Sequence, residues 1–436
     1  MRTSRLIAVA VAVAFAATVA VLAATVRSGG PEPTPVRVAA ARIPYEPGAS
    51  TDERIARRQS AVRAAPRDPA GYTLLAAEYV QKVREAGDAS YYGRAGEALA
   101  RALALAPDDA GALTERGALR LALHDFRGAL RDGRRAHALV PEVVRPYGIL
   151  VDAHLELGHY GAAAKTLQRM VDLKPDLAAY ARVSYFRELH GDLAGAVEAI
   201  RLAVSAGGGT PENTAYVETL LGNLQIGRGR DRAALRAYRA ALARFPGYVP
   251  ARAGVARVLA FRGEEEAAIR RLRRVVDALP LPEHVVALGE AELAAGRRAQ
   301  AAHDLALVRA EERLLRAGGV NTDTELALYE ATYGDRRAAV ELAARAWAAA
   351  PSVRSADAMG WALTRAGRPR RGLAWARRAL RLGSRDPMFL VHAGLSARAA
   401  GRTAPARRWL TRALGDNPRF SPLWAPRARR ALRSLG

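Results

Sequence analysis

Residues 215–248 read AYVETLLGNLQIGRGRDRAALRAYRAALARFPGY. Two stretches with apolar residues at helical spacing are separated at Gly229 and closed at Pro246. Glycine reaches the left-handed conformation that helix ends favour, and proline cannot continue a helix. The stretch therefore reads as helix, turn, helix and stop. In the second helix Tyr238 and Ala241 share one apolar face.

The same punctuation recurs along the chain. Pro107, Pro141 and Pro175 stand 34 residues apart, as do Pro246 and Pro280, and Pro351 and Pro418 extend the series. Turn glycines lie between them at 158, 191, 229, 263, 296, 334, 367 and 401. Five residues after most of these comes an alanine, such as Ala163, Ala234 or Ala301. A small residue there lets two helices approach closely. Seven residues before the turn, glycine recurs at 117, 222, 289, 360 and 394. A period of this length with these marks is the signature of a stacked repeat.

These residues resemble the tetratricopeptide (TPR) repeat. The clearest copies are 215–248, 249–281, 282–309 and 387–420. The resemblance implies an all-α fold, a right-handed α-solenoid of helix–turn–helix units. About ten such units are expected over residues 69–420, between capping helices at 51–68 and 421–436. Thr51 or Asp52 is expected to cap a first helix over 53–64, and the final segment reads as a polar cap. The units are irregular near 85–92, 205–211 and 309–320, which are the expected kinks. By the family pattern, the first helices line a concave face. Its candidate binding residues are Arg145, Asp152, Glu156, Tyr185, Tyr216, Asn223, Arg257, Glu290, Trp361 and Arg365. Aromatic residues and arginine dominate binding hot spots. The Lys/Asn clamp with which some family members hold a terminal carboxylate is not evident.

The first fifty residues differ in kind. Arg2 and Arg5 precede an uncharged, nearly all-apolar run from Leu6 to Val26. Its 21 residues match the roughly 20 that cross a bilayer as a helix. Residues 1–26 read as an uncleaved signal anchor, or as a signal peptide if cleaved near Ala20–Ala24. The positive-inside bias keeps the N-terminus in the cytoplasm and puts the rest outside it. If the leader is cleaved, the product is secreted. Residues 27–50 hold five prolines and three glycines, the composition of an extended tether.

The 436 residues exceed one ordinary single-core domain. Half are hydrophobic but only 6% aromatic, which favours helices over sheets. Net charge is +24, carried almost wholly by arginine, with lysine only at 82, 165 and 174. The arginines are spread over the chain, as G- and C-rich coding produces, rather than gathered into a binding arm. The competing reading is an anionic polymer or membrane surface bound through the arginine-rich solenoid. There is no cysteine, so thiol catalysis and disulfides are excluded.

No catalytic signature stands out: no P-loop, no zinc-protease motif and no dinucleotide-binding glycine pattern after a strand. His154 and His159 are five apart and do not share a helix face. Glu264–Glu266 and Glu311–Glu312 read as first-turn or solvent-facing charges. No metal or cofactor is expected. The sequence points to a non-catalytic scaffold that takes a protein or peptide in its groove. It would be held to the membrane by residues 6–26, with the repeats outside the cytoplasm, and serve envelope assembly or transport. Nucleic acid is disfavoured as a partner by that placement.

Overall fold

The computed structural model describes residues 49–435. The expected anchor, and the tether up to residue 48, lie outside the described residues. Among the described residues, no helix is long and apolar enough to cross a membrane.

Every regular element described is an α-helix. The first, α1 (Thr51–Ala64), is followed by α2 (Pro69–Ala86) with α3 (Ser90–Leu105), and α4 (Ala110–Ala122) with α5 (Phe126–Leu139). Next come α6 (Val144–Glu156) with α7 (Tyr160–Leu173), and α8 (Leu177–Leu189) with α9 (Leu193–Ala206). The middle pairs are α10 (Pro211–Gly227) with α11 (Asp231–Arg244), and α12 (Val249–Arg262) with α13 (Glu265–Ala278). Then follow α14 (Pro282–Ala294) with α15 (Arg298–Ala317), and α16 (Asp323–Tyr333) with α17 (Arg336–Ala349). The last pairs are α18 (Val353–Arg365) with α19 (Pro369–Ala379), and α20 (Pro387–Ala399) with α21 (Thr403–Asp416). Helix α22 (Trp424–Arg433) ends the described chain. The whole is an all-α solenoid.

Local chemistry sets the boundaries. The Asp109 and Asp176 side chains accept from Ala112 and Ala179 backbone N–H, capping α4 and α8. Pro69, Pro211, Pro282, Pro369 and Pro387 open their helices, where a missing N–H costs nothing. The first helix differs from expectation. Ser50, not Thr51 or Asp52, caps it: Ser50 Oγ accepts from Glu53 N–H at 3.2 Å, and Glu53 accepts from Ser50 N–H at 2.7 Å. This capping box starts α1 two residues before the expected position.

Most turn glycines do adopt positive φ, among them Gly158 (72°), Gly191 (78°) and Gly263 (81°). Gly334 does not; its φ is −127°. There the Glu330 carboxylate folds over the turn to accept from Asp335 N–H at 2.7 Å, and fixes it another way. The second family of glycines makes room between paired helices. The fully buried Tyr238 ring lies on Gly222 and Gly254, where a Cβ would collide with it.

Successive helices pack on each other, and the first helices of most pairs also touch the first helix of the next pair. That row thins between α8 and α10 and between α14 and α16, at the joints around 207–210 and 318–322. Near 85–92 the irregularity lengthens α2 to 18 residues, and the contact with α4 is kept.

The solenoid winds back onto itself. His124 Nδ1 lies 2.7 Å from the Asn321 carbonyl oxygen, 197 residues on. Val353 N–H donates to Tyr160 Oη at 2.8 Å across 193 residues. Asn417 Nδ2 donates to the Ile226 carbonyl at 2.7 Å across 191 residues. Arg419 pairs with Asp231 at 3.1 Å across 188 residues. One superhelical turn is thus closed by each such separation. The turn-glycine edge of the first turn carries the inter-repeat junctions of the second. Backbone meets backbone there: a Cβ on Gly158 or Gly191 would collide with the carbonyl oxygen of Pro351 or Gly383.

Candidate functional site

The inner-facing candidates divide into two groups. The first follows α6, α8, α10 and α12. Asp152 accepts from Arg182 through Nε at 2.9 Å and Nη2 at 2.6 Å. Tyr185 donates its hydroxyl to Glu156 at 3.3 Å. Asn223 Oδ1 accepts from Tyr238 Oη at 2.8 Å and from Arg257 Nη2 at 2.6 Å. Arg257 Nε is buried without a partner. Tyr216, beside the Asp152–Arg182 pair, is 45% exposed, which is high for so large an aromatic side chain. Arg145 stands apart, ion-paired with Glu115 of α4.

The second turn supplies a facing wall that the repeat pattern alone does not assemble. Arg354 of α18 pairs with Glu325 of α16 at 3.5 Å. Burial works against the Arg354 charge, but Tyr185, Glu156 and Glu325 hold the guanidinium well above its ordinary range. Between the walls lies a cavity of about 460 Å3. Tyr185, Asn223 and Arg257 line it from one turn, and Glu325, Arg354 and Phe389 from the other. Glu188 and Asp386 are open to the cavity. The protein around Glu188 pushes its carboxyl up to about 7, and the negative Asp386 adds to this. Burial likewise raises Asp386 and Glu156.

The second group, Glu290, Trp361 and Arg365, is engaged by the chain's own C-terminal helix. Trp424 of α22 donates Nε1–H to Glu290 at 2.8 Å, and Tyr333 donates its hydroxyl to the same carboxylate at 2.6 Å. The Trp361 ring stacks on His392 with centroids 4.5 Å apart, and Trp424 meets it edge-on at 5.9 Å. Trp361 Nε1 donates to Thr332 at 3.0 Å, and Arg365 covers the Trp361 ring. Trp361 is only 3% exposed, so it packs between helices rather than presenting a free face. The segment expected to form a polar cap is an amphipathic helix. Trp424, Ala425, Ala428 and Ala431 are buried, and only the other face of α22 carries arginine.

One further reading changes, at Glu312, and one is sharpened, at His154 and His159. His154 and His159 lie on different elements, yet the turn brings their Nδ1 atoms to 3.3 Å. Burial lowers His154, and the neighbouring ring lowers it further. Glu312 is not solvent-facing: it is 2% exposed, and burial pushes its carboxyl up to about 7. Among the described residues, no group of three or more His, Cys, Asp or Glu is placed to hold a metal ion.

The positional rule that selected Tyr185 and Trp361 also reaches Glu188 in the same unit as Tyr185, and Arg354 in the same unit as Trp361. Applied evenly, it would have found both. Asp386, Phe389 and Trp424 meet the inner surface only because the solenoid coils, and no local signal in the sequence records that.

No protein-family model matches the chain, and no curated protein matches it. Solved structures are similar to parts or most of it. A thermophilic TPR protein of Thermus thermophilus is 24% identical, over 39% of this chain and 91% of that one, with a TM-score of 0.36. MamA is 20% identical, over 37% of this chain and 93% of that one, with a TM-score of 0.30. The TPR domain of P58(IPK) is 14% identical, over 88% of this chain and 94% of that one, with a TM-score of 0.29. These overlays are loose, and the solenoid rests on this chain's own helices and contacts.

Proposed function

We propose that this chain is a TPR-type, non-catalytic scaffold that holds a protein or peptide partner against its inner surface. The observation that carries the reading is the cavity between the two turns. It joins aromatic side chains with arginine and carboxylate groups from both walls, among them a buried, unpartnered Arg257 Nε. Apolar walls with a few convergent polar groups suit the capture of a polypeptide segment. The arginine-flanked apolar run at Leu6–Val26 supports attachment to a membrane with the repeats outside the cytoplasm, in envelope assembly or transport. A photoreactive benzophenone residue at position 216, on intact membranes, tests this. A protein partner should crosslink there, and the adduct should be lost in Arg257→Ala. No adduct, or one indifferent to Arg257, counts against the reading.

A second reading is binding of an anionic polymer or membrane surface. One observation favours it: Arg336, Arg337, Arg365 and Arg368 border a cleft of about 740 Å3. It requires affinity that falls steeply with salt.

A further inference from the structure

The solenoid gives many of its arginines a carboxylate. Arg116 has Asp132, Arg182 has Asp152, and Arg309 has Glu330, each within 2.8 Å. One cluster of arginines departs from this pattern. Between α22 and the inner ends of α14, α16, α18 and α20 lies a cavity of about 500 Å3 bordered by Arg365, Arg398, Arg427 and Arg430. No acidic side chain lines it. Glu290 lies beneath, already accepting from Tyr333 and Trp424. Arg365 donates only to the Ala331 carbonyl and lies over the Trp361 ring, and Arg427 lies over the Trp424 ring. Burial lowers Arg365, and the positive charges of Arg336 and Arg427 lower it further. Arg365 and Arg427 repel each other, the buried Glu290 carboxylate acts on Arg427 alone, and an anion placed among the four guanidinium groups relieves that repulsion.

The remaining wall is apolar. Leu293 and Leu395, with the edge of Trp424, sit beside the guanidinium groups. Arginine forks match carboxylates in paired, parallel hydrogen bonds. A free inorganic anion would use the forks and leave the leucines bare. We propose that this cleft binds an acidic peptide segment, with carboxylates on the arginines and an adjoining apolar side chain on Leu293 and Leu395. The proposal rests on the scaffold reading for its class of partner, but it uses a surface separate from the cavity between the turns.

Arg398 and Arg430 are exposed, with no carboxylate partner among the described residues, so their replacement leaves the packing intact. The full-length protein is titrated with a fluorescein-labelled peptide of alternating Glu and Leu, followed by anisotropy at several salt concentrations. A Lys/Leu peptide and phosphatidylglycerol vesicles serve as the other arms. The acidic probe should bind, weaken with salt, and lose about tenfold or more in affinity in R398Q/R430Q. R398E should weaken it at least as much, and the Lys/Leu peptide should not bind. Equal affinity in wild type and R398Q/R430Q overturns the proposal. So does binding of the vesicles, sensitive to R398Q/R430Q, without binding of the acidic probe. Crosslinking at position 216 should persist in R398Q/R430Q, so failure of this site and failure of the scaffold reading are told apart.

Discussion

The hydroxyl oxygen of Tyr160 accepts a hydrogen bond from the backbone N–H of Val353, 2.8 Å away and 193 residues further along the chain. Tyr160 opens a second helix of the first superhelical turn, and Val353 opens a first helix of the second. Neither residue stands out in the repeat pattern. Their meeting follows from how far each repeat rotates on the last, summed until the coil closes. The stacking it reports turns an open ribbon of helices into a two-turn coil with an internal cavity.

Gly191 and Gly263 separate the two demands on a turn glycine. Both have positive φ, 78° and 81°. Open space surrounds Gly263, whereas a Cβ on Gly191 would collide with the Gly383 carbonyl. Gly263→Ala should cost about 1–2 kcal/mol, the strain of a left-handed alanine. Gly191→Ala should cost about 3 kcal/mol or more, because backbone must also move. Denaturant midpoints of the two variants check the difference; equal losses would mean that the turns do not press together at this point.

The helix pairs themselves were legible. Pro107, Pro141 and Gly229 mark helix ends by rules that need only a few neighbouring residues. Tyr185 and Asn223, which line the cavity, and Glu156 beside Tyr185 are positions that the pattern of one repeat singles out. The facing of the opposite wall was not legible: Arg354, a position the same pattern reaches, and Phe389 come to face Tyr185 only after a full superhelical turn. The burial of Trp424 is harder to see because four arginines dominate its segment. Its apolar positions at 424, 425, 428 and 431 recur at helical spacing and were the available signal of a buried face.

Asn417 ties the turns through a buried side chain that is 3% exposed. Its Nδ2 donates to the Ile226 carbonyl, which also accepts from Gly229 N–H. Asn417→Ala should cost about 1–2 kcal/mol, because Ile226 keeps its Gly229 bond but Arg419 N–H loses Asn417 Oδ1, which accepts from it at 2.9 Å. Asn417→Asp should cost more, about 2–3 kcal/mol, since it sets a buried carboxylate against a carbonyl oxygen. Thermal melts of the two variants give the order.

Trp424 anchors α22 across the inner face. Trp424→Ala should lose about 3–5 kcal/mol of local stability, as expected for a buried indole. Trp424→Phe keeps most of the packing but strips the donor from Glu290, at about 1–3 kcal/mol. Hydrogen exchange over 420–435 should rise in both variants, more in the alanine.

Glu312 predicts a pH effect with a definite sign. Its carboxyl sits at about 7 in the fold against an ordinary 4.5. The fold favours the neutral form, so this contribution is full below about pH 4.5 and is lost as pH rises towards 7. Glu312→Gln should be more stable than wild type at pH 8, by about 1–3 kcal/mol, and the gain should vanish near pH 4. Chemical denaturation at both pH values reads it.

The stacking of the second turn on the first is tested most directly by a distance between spin labels on Gly161→Cys and Ala348→Cys. The chain has no cysteine of its own, and a Cβ on Gly161 meets nothing within 4 Å. Gly161 lies in α7 and Ala348 in α17, five helix pairs further along the chain. Stacked turns place the labels within about 30 Å, whereas five pairs laid out at about 10 Å each put them roughly 50 Å apart. A single population at the short distance is the expected result. A population centred near the long distance would contradict the coil and the cavity it encloses.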